Sequence, residues 1–408
     1  MNIWALSKYS SVPGYGSAAR LFHLVSHFRQ MGHETTLITS DANHLSNFPQ
    51  TSNVFNYDKI KGVFVCWIKT KKYLRTASFS RVLSWVDFEI KLFLMPINRE
   101  KKPDVLIVSS LSLLSIIYGY CLKLRFGCKL VFEVRDIWPL TMTEEGGFSR
   151  WHPLVLILAA IEKFGYRKAD LIVGTMPKLD EHIYERIGEE KPFFCSPLGF
   201  ENVKLESIGK DRKNILEAYF PKGKIIVGYC GSMGISNALE TFVECIERIG
   251  ENSTVHFVLV GDGDLRKKFV KRLGRSDNTT FVNKISSDEV PHFLSMCDVL
   301  YLSTHDSKVW RFGQSMNKFV EYMLAGKPII ASYSGFPSML DESEAGEFVL
   351  PNDGNALKAA VSKYCSMSSA ERETIGGNGR RWILRNRSYC RLAEDYLVEI
   401  EKLLAKAP

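Results

Sequence analysis

The chain reads as an α/β protein of two domains, each a parallel sheet covered by helices on both faces. Three observations predict this. Its 408 residues exceed an ordinary single domain and suit two domains of roughly 200 residues each. Short runs rich in Val, Ile and Leu recur without polar alternation, as strands buried on both faces require. Each run is followed by residues with helical spacing, the order that parallel connections impose.

The N-terminus, "MNIWALSKYSS", reads as a strand running into a polar turn. Residues 10–39, "SSVPGYGSAARLFHLVSHFRQMGHETTLIT", supply another strand, a Gly14/Gly16 loop and a helix. Small residues in that loop either let a ligand or the facing domain come close, or simply make a turn. Further strands are expected at "DVLIVSS" (104–110), "CKLVFEV" (128–134), "ADLIVGT" (169–175), "KIIVGYC" (224–230), "VHFVLVGDG" (255–263), "CDVLYLS" (297–303) and "KPIIAS" (327–332). Residues 193–214, "FFCSPLGFENVKLESIGKDRKN", lose periodicity and turn charged, so the interdomain linker is expected near 200–215. The domains are then 1–200 and 201–385, with a last helix in 386–408. That helix spaces Leu392, Tyr396, Leu397 and Ile400 on one face and is expected to pack back toward the first domain.

Hydrophobic residues at 45% and charged residues at 24% describe a soluble globular chain. The formal charge of +8 is uneven: residues 1–200 hold 25 Lys/Arg against 18 Asp/Glu, and residues 201–408 hold 28 against 27. Nine cysteines without a CxxC pair point to a reducing cytosol and away from disulfides or zinc. No signal peptide is evident. Interior serines break the longest apolar run, 104–122, so no transmembrane helix is expected. Residues 69–102 hold nine Lys/Arg against three Asp/Glu, interleaved with Phe, Trp, Tyr and Leu. Such a segment is either a solvated basic helix or a contact with an anionic membrane. No recognised nucleic-acid module accompanies it, so no nucleic acid is expected as partner.

In open parallel sheets ligands bind beyond the carboxyl ends of the strands, and three of those loops are unusual. After 224–230 come Gly231, Ser232 and Gly234, then a helix opened by Asn237 with Glu240 completing a capping box. This turn is either a diphosphate site, where backbone N–H groups approach an anion, or a plain tight turn. After 128–134 come Arg135 and Asp136, which either orient sugar hydroxyls and assist proton transfer or form a structural ion pair. In "RFGQSMNKFVEYMLAGKPII" (311–330), Ser315 is the expected N-cap, with Asn317 and Lys318 in the first helical turn and Arg311 just before. Phe319, Tyr322 and Met323 share an apolar face, while Asn317 and Glu321 lie opposite it, four residues apart. A lysine in a first turn opposes the helix dipole and makes more sense beside a bound anion. Gly326 ends the helix.

Together these residues resemble the family 4 retaining glycosyltransferases of the GT-B fold, over nearly the whole chain. The resemblance rests on "PGYGSAARLFHLVSHFRQMGHETTLIT", on "FEVRDIWP" with "IEKFGYRKADLIVGTMP", on "GYCGSMG" and "FVLVGDGDLRKKF", and most specifically on "FGQSMNKFVEYMLAGKPIIAS". Within the family it is most similar to the O-antigen, capsule and surface-polysaccharide branch, including fucosaminyltransferase-like members. The resemblance implies two Rossmann-like domains facing each other across a cleft, the first taking the acceptor and the second a nucleotide-sugar. Glu321 matches the second glutamate of the paired motif, the one that binds ribose hydroxyls. The first would fall at Gly313 and is missing. The loop 281–285 corresponds to the segment that cradles the base through its backbone, around Val282 and Ile285. Where many members carry an Arg and a Lys after the glycine turn, this chain has Ser232 and, roughly, Asn237. Where many carry a His, it has Arg135.

The implied reaction moves a sugar from a nucleotide diphosphate, expected to be UDP-linked, to a hydroxyl of a surface or lipid-linked glycan with retained configuration. Arg311, Lys318 and the Gly231/Gly234 turn would stabilise the departing diphosphate. No cofactor or metal is expected, since no DxD-type carboxylate pair is seen; "GDGD" (261–264) reads as a strand-end turn. A cytoplasmic protein on the inner face of the cell membrane is expected, in contact with it through 69–102. The alternatives are a GT-B nucleotide-sugar epimerase and a non-catalytic nucleotide-binding subunit.

Overall fold

The structure is a computed structural model describing residues 1–15, 19–42, 49, 51–73, 79–97, 102–201, 215–250 and 254–405. It comprises two compact units, Met1–Glu201 with Arg387–Pro408, and Asn202–Asn386. Most of the sequence-predicted linker and Gly16 lie outside the described residues.

The first unit runs β1 (Asn2–Leu6), α1 (Arg20–Gln30), β2 (Glu34–Ser40), β3 (Phe55–Ile60), β4 (Val63–Ile68), α2 (Phe79–Leu94), β5 (Val105–Ser109), α3 (Ser115–Phe126) and β6 (Lys129–Val134). It continues with α4 (Leu140–Glu144), α5 (Pro153–Lys168), β7 (Leu171–Gly174), α6 (Leu179–Ile187) and β8 (Phe193–Cys195). The eight-stranded sheet has the order β3-β4-β2-β1-β5-β6-β7-β8, parallel throughout except for β3 against β4. The order reverses at β1, where Leu6 pairs with Ile38 on one side and Val108 on the other.

The second unit runs β9 (Ile225–Cys230), α7 (Glu240–Ile249), β10 (Val255–Val260), α8 (Arg266–Leu273), β11 (Thr279–Val282), α9 (Val290–Met296) and β12 (Val299–Ser303). Then come α10 (Asn317–Ala325), β13 (Ile329–Ser332), α11 (Met339–Ser343), β14 (Gly346–Val349), α12 (Gly354–Ser366) and α13 (Ser369–Asn386). Its six strands are all parallel, in the order β11-β10-β9-β12-β13-β14. Here the reversal lies at β9, flanked by β10 and β12. The last helix, α14 (Tyr389–Ala405), rejoins the first unit and packs along α1, where Leu392, Tyr396, Leu397 and Ile400 enter a core with Phe22 and Phe28.

A buried ion pair anchors the first unit. Arg20, at the start of α1, donates to Glu133 of β6 at 2.8 Å and to the Ser196 carbonyl at 2.5 Å. Hydrogen bonding of the pair is incomplete: Arg20 Nε and Glu133 Oε1 are buried without a hydrogen-bond partner, so the pair fixes geometry more than it adds stability. Near the junction with the second unit, the Glu201 carboxylate meets His23 and His27 of α1 at 3.1 and 3.2 Å. Hydrogen bonds from both rings hold that carboxyl well below the usual range.

Local geometry departs from the sequence expectations in three places. Residues 193–195 form β8 inside the stretch expected to lack regular structure. The helix after the glycine turn opens at Glu240, not Asn237, and the capping box is absent. Asn237 instead sits in a 3-10 turn, Ile235–Asn237, with its side chain taken by Lys318, while Glu240 pairs with Lys268 and Arg272. The N-cap of α10 is Met316 rather than Ser315, and the Met316 N–H donates to the Gln314 side chain at 3.0 Å.

Entry to α10 passes through a 3-10 turn, Lys308–Phe312, that ends on buried Gly313 at φ 98°. An L side chain rarely adopts that conformation. A glutamate at this position, where the family motif would have one, would be strained by the backbone path. Gly313→Glu and Gly313→Ala should each lower stability by about 1–2 kcal/mol, seen by calorimetry as a melting temperature lower by several degrees. A Gly313→Glu chain that melts with the wild type would refute this.

Candidate functional site

The carboxyl end of the second sheet, at its reversal point, gathers three loops. The chain leaves β9 into residues 231–234, where glycines let two backbones touch. A Cβ on Gly261 would lie 1.8 Å from the Gly231 carbonyl oxygen, and one on Gly263 within 2.6 Å of Met233. Both have φ in the range that favours glycine, 143° and 152°. The contact is sealed by hydrogen bonds from the Gly231 N–H to Val260 O (3.0 Å), from the Met233 N–H to Asp262 O (2.8 Å) and from the Leu265 N–H to Met233 O (3.0 Å). Two amides of the turn are therefore already engaged, contrary to the expectation that its N–H groups as a set await an anion. Ser232 and Gly234 supply the remaining amides.

A lysine stands in their place. The Lys318 ammonium, from the first turn of α10, donates to the Tyr229 hydroxyl at 3.1 Å and to the Asn237 side-chain oxygen. It also lies 4.9 Å from the centre of the Tyr229 ring. The hydroxyl in turn donates to Ser232 O at 2.6 Å. A side chain on Gly231 would collide with the Lys318 stem, 2.6 Å from its Cε. A side chain at 231 would therefore make the lysine end shift from its present position. Burial pushes the ammonium pKa down to about 8, so the cation is held where its charge is poorly solvated and an incoming anion is favoured.

Glu321 lies on the same helix, one turn further, exposed beside Asn317, while Phe319, Tyr322 and Met323 are buried. Surrounding protein raises its carboxyl pKa, and Lys318 offsets this in part. The helix is fixed to β9 by Tyr322, whose hydroxyl accepts the Cys230 N–H at 3.0 Å. Arg311 is exposed on the 3-10 turn with its guanidinium 4.5 Å over the Phe312 ring. Val282 is buried at the end of β11 with its carbonyl taken by the Gly261 N–H at 3.2 Å, whereas half-buried Ile285 lies on the loop beyond.

Sequence reasoning missed the residues that build this corner from other strands. Tyr229 lies inside an apolar run and reads as core. Ser303, at the end of β12, donates to Asn237 O at 2.6 Å, and the His305 ring meets Ile235 O at 2.6 Å. Their signal was the polar stretch "STHDS" (303–307) straight after a predicted strand.

The first unit has its own group at the carboxyl ends of β5, β6 and β7. The Arg135 N–H donates to the Ser110 hydroxyl at 3.0 Å and the Thr175 hydroxyl donates to Arg135 O at 3.2 Å. No salt bridge joins Arg135 to Asp136 among the described residues, so the structural ion pair considered for them is not formed. Arg135 instead neighbours Arg20, which together with burial pulls its pKa down. Burial pushes the Asp136 carboxyl up to about 6 against the opposing pull of Arg135. Gly14 occupies the third position of a turn closed by the Tyr15 N–H on Val12 O at 3.0 Å, with φ 89°. Pro13 before a left-handed glycine is the type II pattern.

Comparison with known proteins agrees with this layout. Residues 15–192 match the family model "Glycosyl transferase 4-like domain" and residues 224–366 match "Glycosyl transferases group 1". An uncharacterized glycosyltransferase of Methanocaldococcus jannaschii is 23% identical over 251 residues, 60% of this chain and 61% of that protein. Spore coat protein SA of Bacillus subtilis is 27% identical over 191 residues, 44% of this chain and 49% of that protein. The matched stretches thus span less than two thirds of either relative. Among solved structures, sucrose-phosphate synthase from Thermosynechococcus elongatus superposes with a TM-score of 0.75 at 17% identity, covering 100% of both chains. Anabaena HepE in complex with UDP and glucose gives 0.67 at 14%, covering 98% of this chain and 100% of that one. With a transferase family matched on each unit, and with two parallel-sheet units of this topology, the chain belongs to the glycosyltransferases of GT-B fold, type 4-like in its first domain and group 1 in its second.

Proposed function

We propose that this glycosyltransferase moves a sugar from a UDP-linked donor to a hydroxyl of a surface-polysaccharide or lipid-linked glycan, with retained anomeric configuration. The observation that carries the reading is the Lys318 ammonium pressed against Gly231 at the reversal point of the second sheet. It supplies the positive charge that Ser232 and Asn237 cannot. HepE solved with UDP-glucose supports UDP as the nucleotide.

As the bond from the sugar to the diphosphate breaks, its electron pair goes to the phosphate oxygen. Lys318 and Arg311 then face the developing charge, with the Ser232 and Gly234 amides as further donors. Glu321 accepts hydrogen bonds from the ribose, and the backbone near Val282 and Ile285 receives the base. On the first unit Arg135 and Asp136 orient the acceptor hydroxyl, and Gly14 belongs to the acceptor side. No metal or cofactor is assigned a part. The work is cytoplasmic, with peripheral contact to the inner face of the membrane through the region 69–102 that precedes and includes α2.

The test is turnover of UDP-sugars on a lipid-linked acceptor, with the product anomer read by NMR. UDP binding without turnover on any acceptor would instead favour a binding subunit. Lys318→Ala should lower kcat/KM about 10²-fold or more, and Arg311→Ala should lower it as well; an unchanged rate in Arg311→Ala removes that residue from the site. Since the free Lys318 ammonium titrates near 8, kcat/KM should fall as pH rises through that value. Lys318→Arg should abolish this limb, because guanidinium stays charged.

Asp136 gives the opposite limb: activity should fall as pH drops through about 6 and the carboxylate protonates, a dependence absent from the residual activity of Asp136→Asn. The sign for stability follows from the raised pKa. The folded chain holds this proton more tightly than the unfolded one, so burial of the carboxylate opposes folding above pH 6 and ceases to do so below the ordinary value of 3.8. Asp136→Asn should therefore melt no lower than wild type at about pH 7.5, while losing activity. A large loss of melting temperature would mark Asp136 as structural.

A further inference from the structure

Helices α2, α3 and α5 lie side by side over the first sheet, and their outward faces are apolar. On α2 the exposed stripe is Val82, Val86, Ile90, Phe93 and Leu94, at helical spacing, with Leu94 68% exposed. On α3 it is Ile117 and Leu124, the latter 67% exposed, and on α5 Leu156 and Ile157, the latter 56%. Residues 153–161 of α5 contain no polar side chain at all. Their inward faces are apolar too, with Phe88, Leu92, Ile116, Leu122, Val155 and Leu158 buried. The first half of α5 is thus apolar all round, as suits a core or lipid, while α2 and α3 interleave their apolar stripes with Arg81, Asp87, Glu89, Lys91, Lys123 and Arg125.

The seams between these helices are closed by aromatic pairs. Phe93 of α2 meets Tyr118 of α3 edge-on at 5.2 Å, and Tyr120 of α3 meets Phe164 of α5 at 5.3 Å. The three stripes therefore form one continuous face, larger than the scattered apolar residues of an ordinary surface. Trp151, 70% exposed just before α5 with Arg150 over its ring, extends it at one end.

Charge decides what covers it. The three helices connect parallel strands in the same sense, so their last turns lie at one end. Those turns carry Lys91, then Lys123 and Arg125, then Arg167 and Lys168; Lys91 pairs with Asp87 and Lys123 with Asp170, so the basic rim rests on Arg125, Arg167 and Lys168. The acids of these helices are withdrawn: Glu162 is buried, Glu89 accepts from Ser112 and Ser115, and Asp87 pairs with Lys91. An apolar face with a basic rim and no exposed unpaired acid matches an anionic bilayer interface, where lysines and arginines reach the headgroups and tryptophan sits at their level. A second copy would set two basic rims against each other. Basic charge in 69–102 explains less than its composition suggested, because Lys72 and Lys91 are paired with Asp41 and Asp87.

We infer that the outer face of α2, α3 and α5 docks on anionic lipid by shallow insertion of Leu94, Leu124 and Ile157. No helix among the described residues is long and apolar enough to cross a membrane, and the docking inferred is interfacial. The inference deepens the membrane contact proposed above and does not depend on the donor or acceptor.

The test is flotation of the full chain with vesicles of phosphatidylcholine and phosphatidylglycerol, compared with phosphatidylcholine alone. Wild type should float with the mixed vesicles. The double variant Leu124→Gln/Ile157→Gln, outside 69–102, should partition about tenfold or more weakly with an unchanged melting temperature. Arg125→Ser/Lys168→Ser should lose the preference for phosphatidylglycerol. Wild type that does not float, a Gln variant that floats equally, or a wild-type dimer turned into monomers by the Gln variant in light scattering would each overturn the inference. Vesicle binding with no UDP-induced melting shift would leave this face standing and defeat the nucleotide site instead.

Discussion

The reversal point of the second sheet depends on two stretches of main chain in van der Waals contact. Gly261 and Gly263 carry no side chain because the 231–234 turn lies where a Cβ would be. The approach has a chemical consequence. It engages the Gly231 and Met233 amides in hydrogen bonds to the neighbouring loop, so a turn that looks like an anion cradle keeps only part of its donors. A charge must then come from elsewhere, and α10 brings it. Tyr322 ties that helix to β9, Tyr229 and Asn237 take the ammonium, and the absent side chain at 231 leaves room for the lysine stem. The corner thus presents a partly desolvated cation where two of the turn's peptide donors are already committed.

In the first domain the same question, which charge is committed and which is free to act, is settled by Glu133. One buried carboxylate lies near two arginines, and Arg20 takes it at 2.8 Å. Arg135, two residues along the chain from Glu133, is held by its backbone between Ser110 and Thr175. Its guanidinium has no ion-pair partner among the described residues. Burial and the neighbouring Arg20 charge disfavour its cation, and the Glu133 and Asp136 carboxylates offset this in part.

The interior strands were legible because burial on both faces writes itself as an uninterrupted apolar run. The strands that were not foreseen include all four sheet edges: β3, β8, β11 and β14. Such strands are paired on one side only and tolerate polar or short sequences, as in "FNYDKI" and "GEFV". Inner β4, "VFVCWI", had the signal and was overshadowed by the basic stretch after it. For the site, residue chemistry pointed to Lys318, Glu321 and the glycine turn. It could not show that Lys318 meets Tyr229, 89 positions away, nor that the backbone at Gly313 would strain a glutamate. Capping was misjudged at Asn237 because its side chain is used over long range by Lys318, and at Ser315 because the helix boundary lies one residue further on.

The return of α14 to the first domain carries a consequence for biosynthesis. Its Tyr396 packs on Phe28 of α1, with Leu392, Leu397 and Ile400 in the same core. A ribosome delivers residues 1–201 long before 387–405, so the first domain leaves the exit tunnel with one face of its core uncovered. It must wait, exposed, while the second domain is made. The second domain, whose residues are contiguous, can fold first. For the nascent chain the order of completion is thus the reverse of the order of synthesis, and the interval is when a chaperone has most to do.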